Sequence, residues 1–383
     1  MSGADHRLSD VGEEGILRSL VFNHLAGSTP KVALSVGDDA ALLEGPGPDH
    51  VLAVTVDPCP TPIVDLLGLG SYRDWGRLSG VISLSDLAAM GAAPVGLLSS
   101  TAMPPSMTVG EYEDFLTGLE EICAEFATPI IGGNIREAES FNATTVGLGM
   151  VHRAHAFRRN GAGPGDRVIA IGSSGSFWAA VLSITEGGMT PSAVDAELYG
   201  ALFAPSPKLR ESLALVDAGL VTAGIDCSDG LGEGLSQLAA ASHCGVHIVK
   251  DQLEGPGPVR EAADRLGIDE INLRLSWGDW QLLVAVRPSD VGQAIRCVTE
   301  AGGVATEVAN LVADPGAHLV DHLGGAPRPM DRLLGSRRFT SDSYMSAGIA
   351  PYVELLRQPL AALGGTPSPE APAVGSSEPS PDL

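Results

Sequence analysis

Basic residues are scarce in this sequence, and cysteine is sparse and scattered. Lys and Arg together number 23 against 47 Asp and Glu, a formal net charge of −24. A chain so short of cations lacks the basic face that nucleic acid or an anionic membrane surface requires. The shortage does not exclude phosphorylated small molecules, because bound divalent cations reverse the local sign. The five cysteines (Cys59, Cys123, Cys227, Cys244, Cys297) are widely spaced, odd in number and form no Cys-x-x-Cys pair. Neither a disulfide framework nor a zinc knuckle is indicated. No run of about 18 apolar residues is present. The opening Met1–His6 lacks the basic and apolar pattern of a signal peptide. We therefore expect a soluble, cytoplasmic protein with no nucleic-acid and no membrane partner. The lysine of a Walker A loop is missing too. Gly172-Ser173-Ser174-Gly175-Ser176 follows the strand-like Arg167–Ile171 but does not end in Lys-Ser/Thr, which argues against a Walker-type NTPase.

Apolar residues make up 44% of the 383 positions, enough for a sizeable core and two domains with a tail. The glycine-rich, cationic stretch Arg158–Asp166 suggests a boundary, giving domains over 1–152 and 153–338. An extension over 339–383 follows, with a helix over Tyr344–Leu363. Proline and serine from about residue 366 predict disorder. Helical spacing marks Val11–Leu25 and Val109–Phe126. Strands are expected at Lys31–Val36, Val51–Val56, Val95–Ser100, Ala143–Val151, Arg167–Ile171 and Leu282–Val286.

The most informative stretch is Ser83-Leu84-Ser85-Asp86-Leu87-Ala88-Ala89-Met90-Gly91. Ser85 and Asp86 suit a helix N-cap, and Gly91 with Pro94 suits a helix end. Asp86 alone reads as a cap. What recurs, however, is aspartate at element boundaries in apolar and glycine context: Asp39, Asp57, Asp86, Asp226 and Asp229. Hard divalent cations take oxygen ligands, and phosphoryl transfer needs mainly positioning and charge neutralisation. Dispersed aspartates without a Walker lysine fit a site where metals hold a nucleotide. His243, Cys244 and His247 form a second cluster, read as a helix end and the next strand because no fourth ligand lies nearby.

In combination and order these pieces resemble the thiamine-monophosphate kinase family. Its superfamily includes aminoimidazole ribonucleotide synthetase, selenophosphate synthetase and a hydrogenase maturation factor. The matching pieces are Gly12–Gly15, Gly37-Asp38-Asp39-Ala40, the strand ending at Asp57, Ser85–Gly91, Gly132-Gly133, Arg159–Asp166, Pro205-Ser206-Pro207 and Ile225–Leu231. The resemblance implies an α+β, two-domain fold like that of aminoimidazole ribonucleotide synthetase. Its N-terminal sheet would form a barrel-like interface in a homodimer, and its C-terminal domain an α/β sandwich. It implies Mg²⁺ held by Asp39, Asp57, Asp86 and Asp226, with a further metal at Asp229, and Asp86 and Asp226 central to catalysis. Gly133, Asn134, Arg159 and Ser228 would touch ATP. The γ-phosphoryl group would pass to a small phosphorylated acceptor, nominally thiamine phosphate.

Departures from the family pattern gather on the acceptor side. Asn134 stands where an aspartate is usual, and Val64 where a histidine is expected. Ser276-Trp277-Gly278-Asp279-Trp280-Gln281 replaces an acidic motif, leaving Val64, Trp277, Asp279 and Trp280 as the acceptor-site candidates. Trp277 and Trp280 offer faces for an aromatic acceptor or for plain packing. Three other readings stay open: a diverged paralogue with another acceptor, an ATP-dependent synthetase or cyclase, and a nucleotide-binding regulator without turnover.

Overall fold

The computed structural model describes residues 30–360, apart from 36, 46, 331 and 337–342. The expected helix over Val11–Leu25 and the tail from 366 lie outside the described residues.

The N-terminal sheet contains β1 (Val32–Leu34), β2 (Ala41–Glu44), β3 (His50–Pro58), β4 (Ala93–Met103), β5 (Ile130–Glu137) and β6 (Asn142–His152). Their order is β1-β2-β3-β6-β4-β5, antiparallel except for the parallel β4–β5 pair. Burial along β6 alternates residue by residue, as expected of a sheet with one face on a core. That face is covered by α1 (Tyr72–Ala89) and α2 (Val109–Glu125). Gly132, Gly133 and Asn134 lie inside β5, whose eight residues are all exposed.

The helix α1 corrects one expectation. It starts at Ser71, whose backbone N–H donates to Asp74 Oδ2 at 2.7 Å, and it continues past Ser85 and Asp86. Those two residues therefore lie in its last turn rather than at an N-cap. The serines inside it need no cap position. Ser79 Oγ returns to the Trp75 carbonyl at 2.8 Å, a local bond that a helix interior tolerates. Gly91, at φ +65°, ends the helix as expected. The contact between α1 and α2 is glycine-mediated. A Cβ added at Gly76 would stand 1.9 Å from the Phe115 carbonyl oxygen, and one at Gly118 would stand 1.9 Å from that of Arg73.

The C-terminal domain comprises β7 (Arg167–Ile171), α3 (Ser176–Thr185), α4 (Leu209–Ala218), β8 (Val221–Asp226), α5 (Leu231–Ala241), β9 (Gly245–Val249), β10 (Leu282–Val286), α6 (Val291–Glu300), β11 (Ala305–Val312), β12 (Gly316–Val320) and β13 (Arg328–Pro329). The sheet order is β13-β12-β9-β11-β7-β10-β8, with β9–β12 its one parallel pair. Every residue of β10 is buried, because both faces are covered. Leu235 and Leu238 of α5 pack on one side with Val168 and Leu283. Leu215 of α4 and Val298 of α6 pack on the other with Ile169 and Ile171. The fold is thus α+β in two domains.

The single helix expected over Tyr344–Leu363 is two short ones, Tyr344–Ala347 and Ala350–Arg357. They are separated at Gly348, which adopts φ +70°. Among the described residues no helix is long and apolar enough to cross a membrane.

Candidate active site

Three aspartates from distant parts of the chain converge between the domains. Asp39 follows β1, Asp86 lies in the last turn of α1, and Asp226 ends β8. Each offers an oxygen within 4.8 Å of the others, and no other group of three or more His, Cys, Asp or Glu does so among the described residues. The His243, Cys244 and His247 cluster accordingly does not form such a group. Asp57 stands beside Asp86. The Thr55 hydroxyl lies 3.0 Å from Asp57 Oδ2 and also contacts Asp86 Oδ2. Ser85 Oγ donates to Asp226 Oδ2 at 3.3 Å, and Ser228 Oγ to Asp226 Oδ1 at 3.4 Å.

This crowding has an electrostatic signature. Burial, then the charges of Asp57, Asp226 and Asp39, push the Asp86 carboxyl well above its ordinary value. Burial and Asp39 raise Asp226 to about 7, with Arg159 pulling the other way. Burial and Asp39 also raise Asp38 to about 6. A carboxylate in the last turn of a helix is further opposed by the helix dipole. The cation present is Arg159, whose Nη2 donates to Asp39 Oδ1 at 2.5 Å.

A cavity of about 740 Å³ opens beside the aspartates, within the range of small-molecule sites. Asp57, Asp86, Asp226 and Ser228 line one end. Ile63, Val64, Phe177, Phe203, Trp277 and Tyr344, which pack in one cluster, line the other, and Trp280 also lines the cavity, next to the strand that pairs with Asp226. Trp277 is buried among aromatic rings, stacked on Tyr344 at 5.3 Å and edge-on to Trp178 at 5.1 Å. Trp280 reaches the cavity from a left-handed backbone position, φ +50°, an uncommon state for a bulky residue.

Comparisons with known proteins place the chain in a family. The family described as "AIR synthase related protein, N-terminal domain" matches residues 37–151, and its C-terminal domain matches 163–322. The chain belongs to the AIR synthase related family. Among curated members, a thiamine-monophosphate kinase of Halobacterium salinarum is 32% identical over 259 residues, 67% of this chain and 82% of that one. Another, from Escherichia coli O157:H7, is 30% identical over 303 residues, 76% and 88% of the two chains. The solved structure titled "AaThiL complexed with AMPPCP and TMP" superposes with a TM-score of 0.71 at 23% identity, covering 87% of this chain and 99% of that one. The AIR synthase related chain described here is a kinase-like enzyme of the thiamine-monophosphate kinase group.

Within this family member the sequence-predicted residues fall into three sets. Asp39, Asp86 and Asp226 come together, with Asp57, Arg159 and Ser228 beside them. Val64, Trp277 and Trp280 also line the cavity. The remaining four do not line the cavity. Asp229 adjoins the acidic set, where its charge helps raise Asp226, and accepts from the Oγ of the cavity-lining Ser336. The Asp279 carboxylate accepts from the Gly175 and Phe177 N–H groups at 2.7 and 2.8 Å, so it serves the N-terminus of α3. Gly133 and Asn134 lie on the exposed edge strand β5, three strand spacings (~14 Å) from β3. Sequence reasoning missed Thr55, Phe177, Phe203 and Tyr344. Thr55 carries a faint signal, two residues before Asp57 on the same strand face, whereas the aromatics carry none.

Proposed function

We propose that the chain is an ATP- and Mg²⁺-dependent phosphotransferase that moves the γ-phosphoryl group of ATP onto a small phosphorylated acceptor. Thiamine phosphate, converted to thiamine diphosphate, is the first candidate. The observation that carries this reading is the convergence of Asp39, Asp86 and Asp226 beside a cavity whose other end is aromatic. The names of the relatives support the kinase assignment, and the neighbour solved with AMPPCP and TMP supports the pair of ligands.

The residues present suit a hard cation. The donors are carboxylate oxygens, and Asp39 Oδ2 is buried without a hydrogen-bond partner. Asp39, Asp86 and Asp226 would hold the ion, with Asp57 adjoining. Bound Mg²⁺ supplies charge neutralisation for the phosphates. The chain's own residues do the rest. Ser228 offers a hydroxyl beside Asp226. Ile63, Val64, Trp277 and Trp280 hold the acceptor body and exclude water. A phosphate acceptor is already ionised near pH 7, so no strong general base is required.

The proposal extends to a homodimer. Val56 on β3 and Ile131 and Ile135 on β5 are 62, 50 and 66% exposed. Exposed apolar side chains on a sheet that ends in the open edge strand β5 are what a second copy of the chain would cover. That copy would also bring Gly133 and Asn134 into a protected setting. Sedimentation should give a dimer, and Ile135→Asp should shift it towards monomer.

ADP release with Mg²⁺ATP and thiamine phosphate, beside an Asp86→Asn control, tests the function. Turnover in the parent and its loss in the control are expected. Absence of turnover with retained, Asp86-dependent Mg²⁺ATP binding would overturn thiamine phosphate as acceptor and leave the nucleotide site standing.

A further inference from the structure

The carboxylate triad already contains a cation, and its fit is incomplete. Arg159 lies on the segment between the two domains, with its backbone held from both sides. Its N–H donates to Asp38 Oδ2 at 3.2 Å, and its carbonyl accepts from Ser242 Oγ at 3.1 Å. The preceding Arg158 carbonyl accepts from the Gly224 N–H of β8 at 2.8 Å. The side chain is free of those anchors and is 27% exposed. Its guanidinium makes one bond to Asp39 Oδ1, at 2.5 Å, while Nε stands 4.0 Å from Asp38 Oδ1. Nε is buried without a hydrogen-bond partner, and so is Asp39 Oδ2.

A well-matched guanidinium–carboxylate pair uses both prongs of the fork. Here one prong is engaged, and one buried polar atom is left unmet on each partner, which is costly. Such a pair is easily displaced by a better ligand for Asp39, yet the crowded carboxylates need a positive charge whenever that ligand is absent. We propose that Arg159 is the resident counter-ion of the metal-free triad and yields Asp39 to the divalent cation. The pinned backbone then leaves the guanidinium free to turn to the nucleotide phosphates. This rests on reading the triad as a Mg²⁺ site, and it adds a competition that the reading does not contain. Arg159 opposes metal binding before nucleotide arrives and favours nucleotide binding after the metal is in place.

The test is isothermal titration of the full chain with Mg²⁺ alone, and then with the non-hydrolysable nucleotide AMPPCP at saturating Mg²⁺. Thermal unfolding runs beside both titrations. For Arg159→Met the expected result is Mg²⁺ binding about tenfold tighter than in the parent, since a competing charge has been removed, and AMPPCP binding at least about tenfold weaker. The metal-free variant should unfold earlier than the parent and gain more from Mg²⁺. Arg159→Lys, which keeps the charge without the fork, should fall between the two and covers the case in which the methionine variant does not fold. A merely structural Arg159 would lower stability equally with and without Mg²⁺. Metal binding that is unchanged or weaker in both variants overturns the proposal. Failure of the underlying reading shows separately, as a parent chain that binds no Mg²⁺ or whose binding survives Asp86→Asn.

Discussion

The two ends of the cavity are built in opposite ways. The acidic end is made of short local signals, each an aspartate at or near the end of a strand or helix, brought together by two sheets. It is buried and crowded with like charge; burial first, and the neighbouring carboxylates second, push Asp86 and Asp226 towards their neutral forms. The aromatic end takes its residues from five separated stretches around 63–64, 177, 203, 277 and 344, and it is held by packing. One end trades stability for chemistry. At the other, packing and ligand recognition draw on the same side chains. Substitutions should therefore separate the two ends cleanly.

The largest effect belongs to the acidic end. Asp86→Asn or Asp226→Asn should lower turnover by more than about 10³-fold, measured as ADP release, without loss of stability. The pH dependence follows from the raised values. A carboxyl whose folded value lies above its unfolded one binds its proton more tightly in the folded chain. The stability this brings is complete below about pH 4 and is lost as pH rises through about 7 for Asp226. In EDTA the parent should therefore unfold at progressively lower temperature from pH 5 to pH 8, and Asp226→Asn should show a flatter profile. An equally steep profile in the variant would remove the contrast between the two ends.

At the aromatic end, Trp277→Ala should cost about 3–5 kcal/mol of stability, read by denaturant unfolding. It should also raise the KM of the acceptor far more than that of ATP. Asp279→Ala sharpens the comparison from just behind that wall. It strips two N–H groups of their acceptor at the start of α3 and should cost about 1–3 kcal/mol, with the KM of ATP unchanged. A large change in acceptor KM would instead return Asp279 to the contact role expected from its motif. Smallest is Val64→Ala, about 1 kcal/mol from lost burial and a severalfold change in acceptor KM. If its effect on ATP equals that on acceptor, the cavity is not divided as described.

Most of the acidic end was legible in the sequence because its residues sit in compact glycine-bounded motifs. Asp39, Asp57, Asp86 and Asp226 could be named without knowing their separations. The setting of Asp86 was misread, since a serine–aspartate pair looks alike at the start of a helix and in its last turn. The strands that carry alternating or continuous apolar runs were found near their true places, as at 167–171 and 282–286. The aromatic wall stayed hidden because Phe177, Phe203 and Tyr344 carry no local pattern, and only the fold makes them neighbours. Trp277 was noticed, but its ring contacts with Trp178 and Tyr344 join residues scores of positions apart. The break at Gly348 that splits the C-terminal helix was likewise overlooked.

The order of strands in the C-terminal sheet bears on how the chain is made. The interior strand β7 ends at residue 171, and the nearest in sequence of its two partners, β10, begins at residue 282, 111 positions later. The N-terminal sheet has all its described strands by residue 152. At ribosomal speeds of about 5–20 residues per second, β7 emerges roughly 6–20 s before a partner strand exists. The first domain can fold on the ribosome, while the second must wait with β7 unpaired. Nascent chains arrested near residue 200 should thus yield a protease-resistant fragment of the first domain alone, and full-length synthesis should depend on chaperones that shield the interval between the two halves.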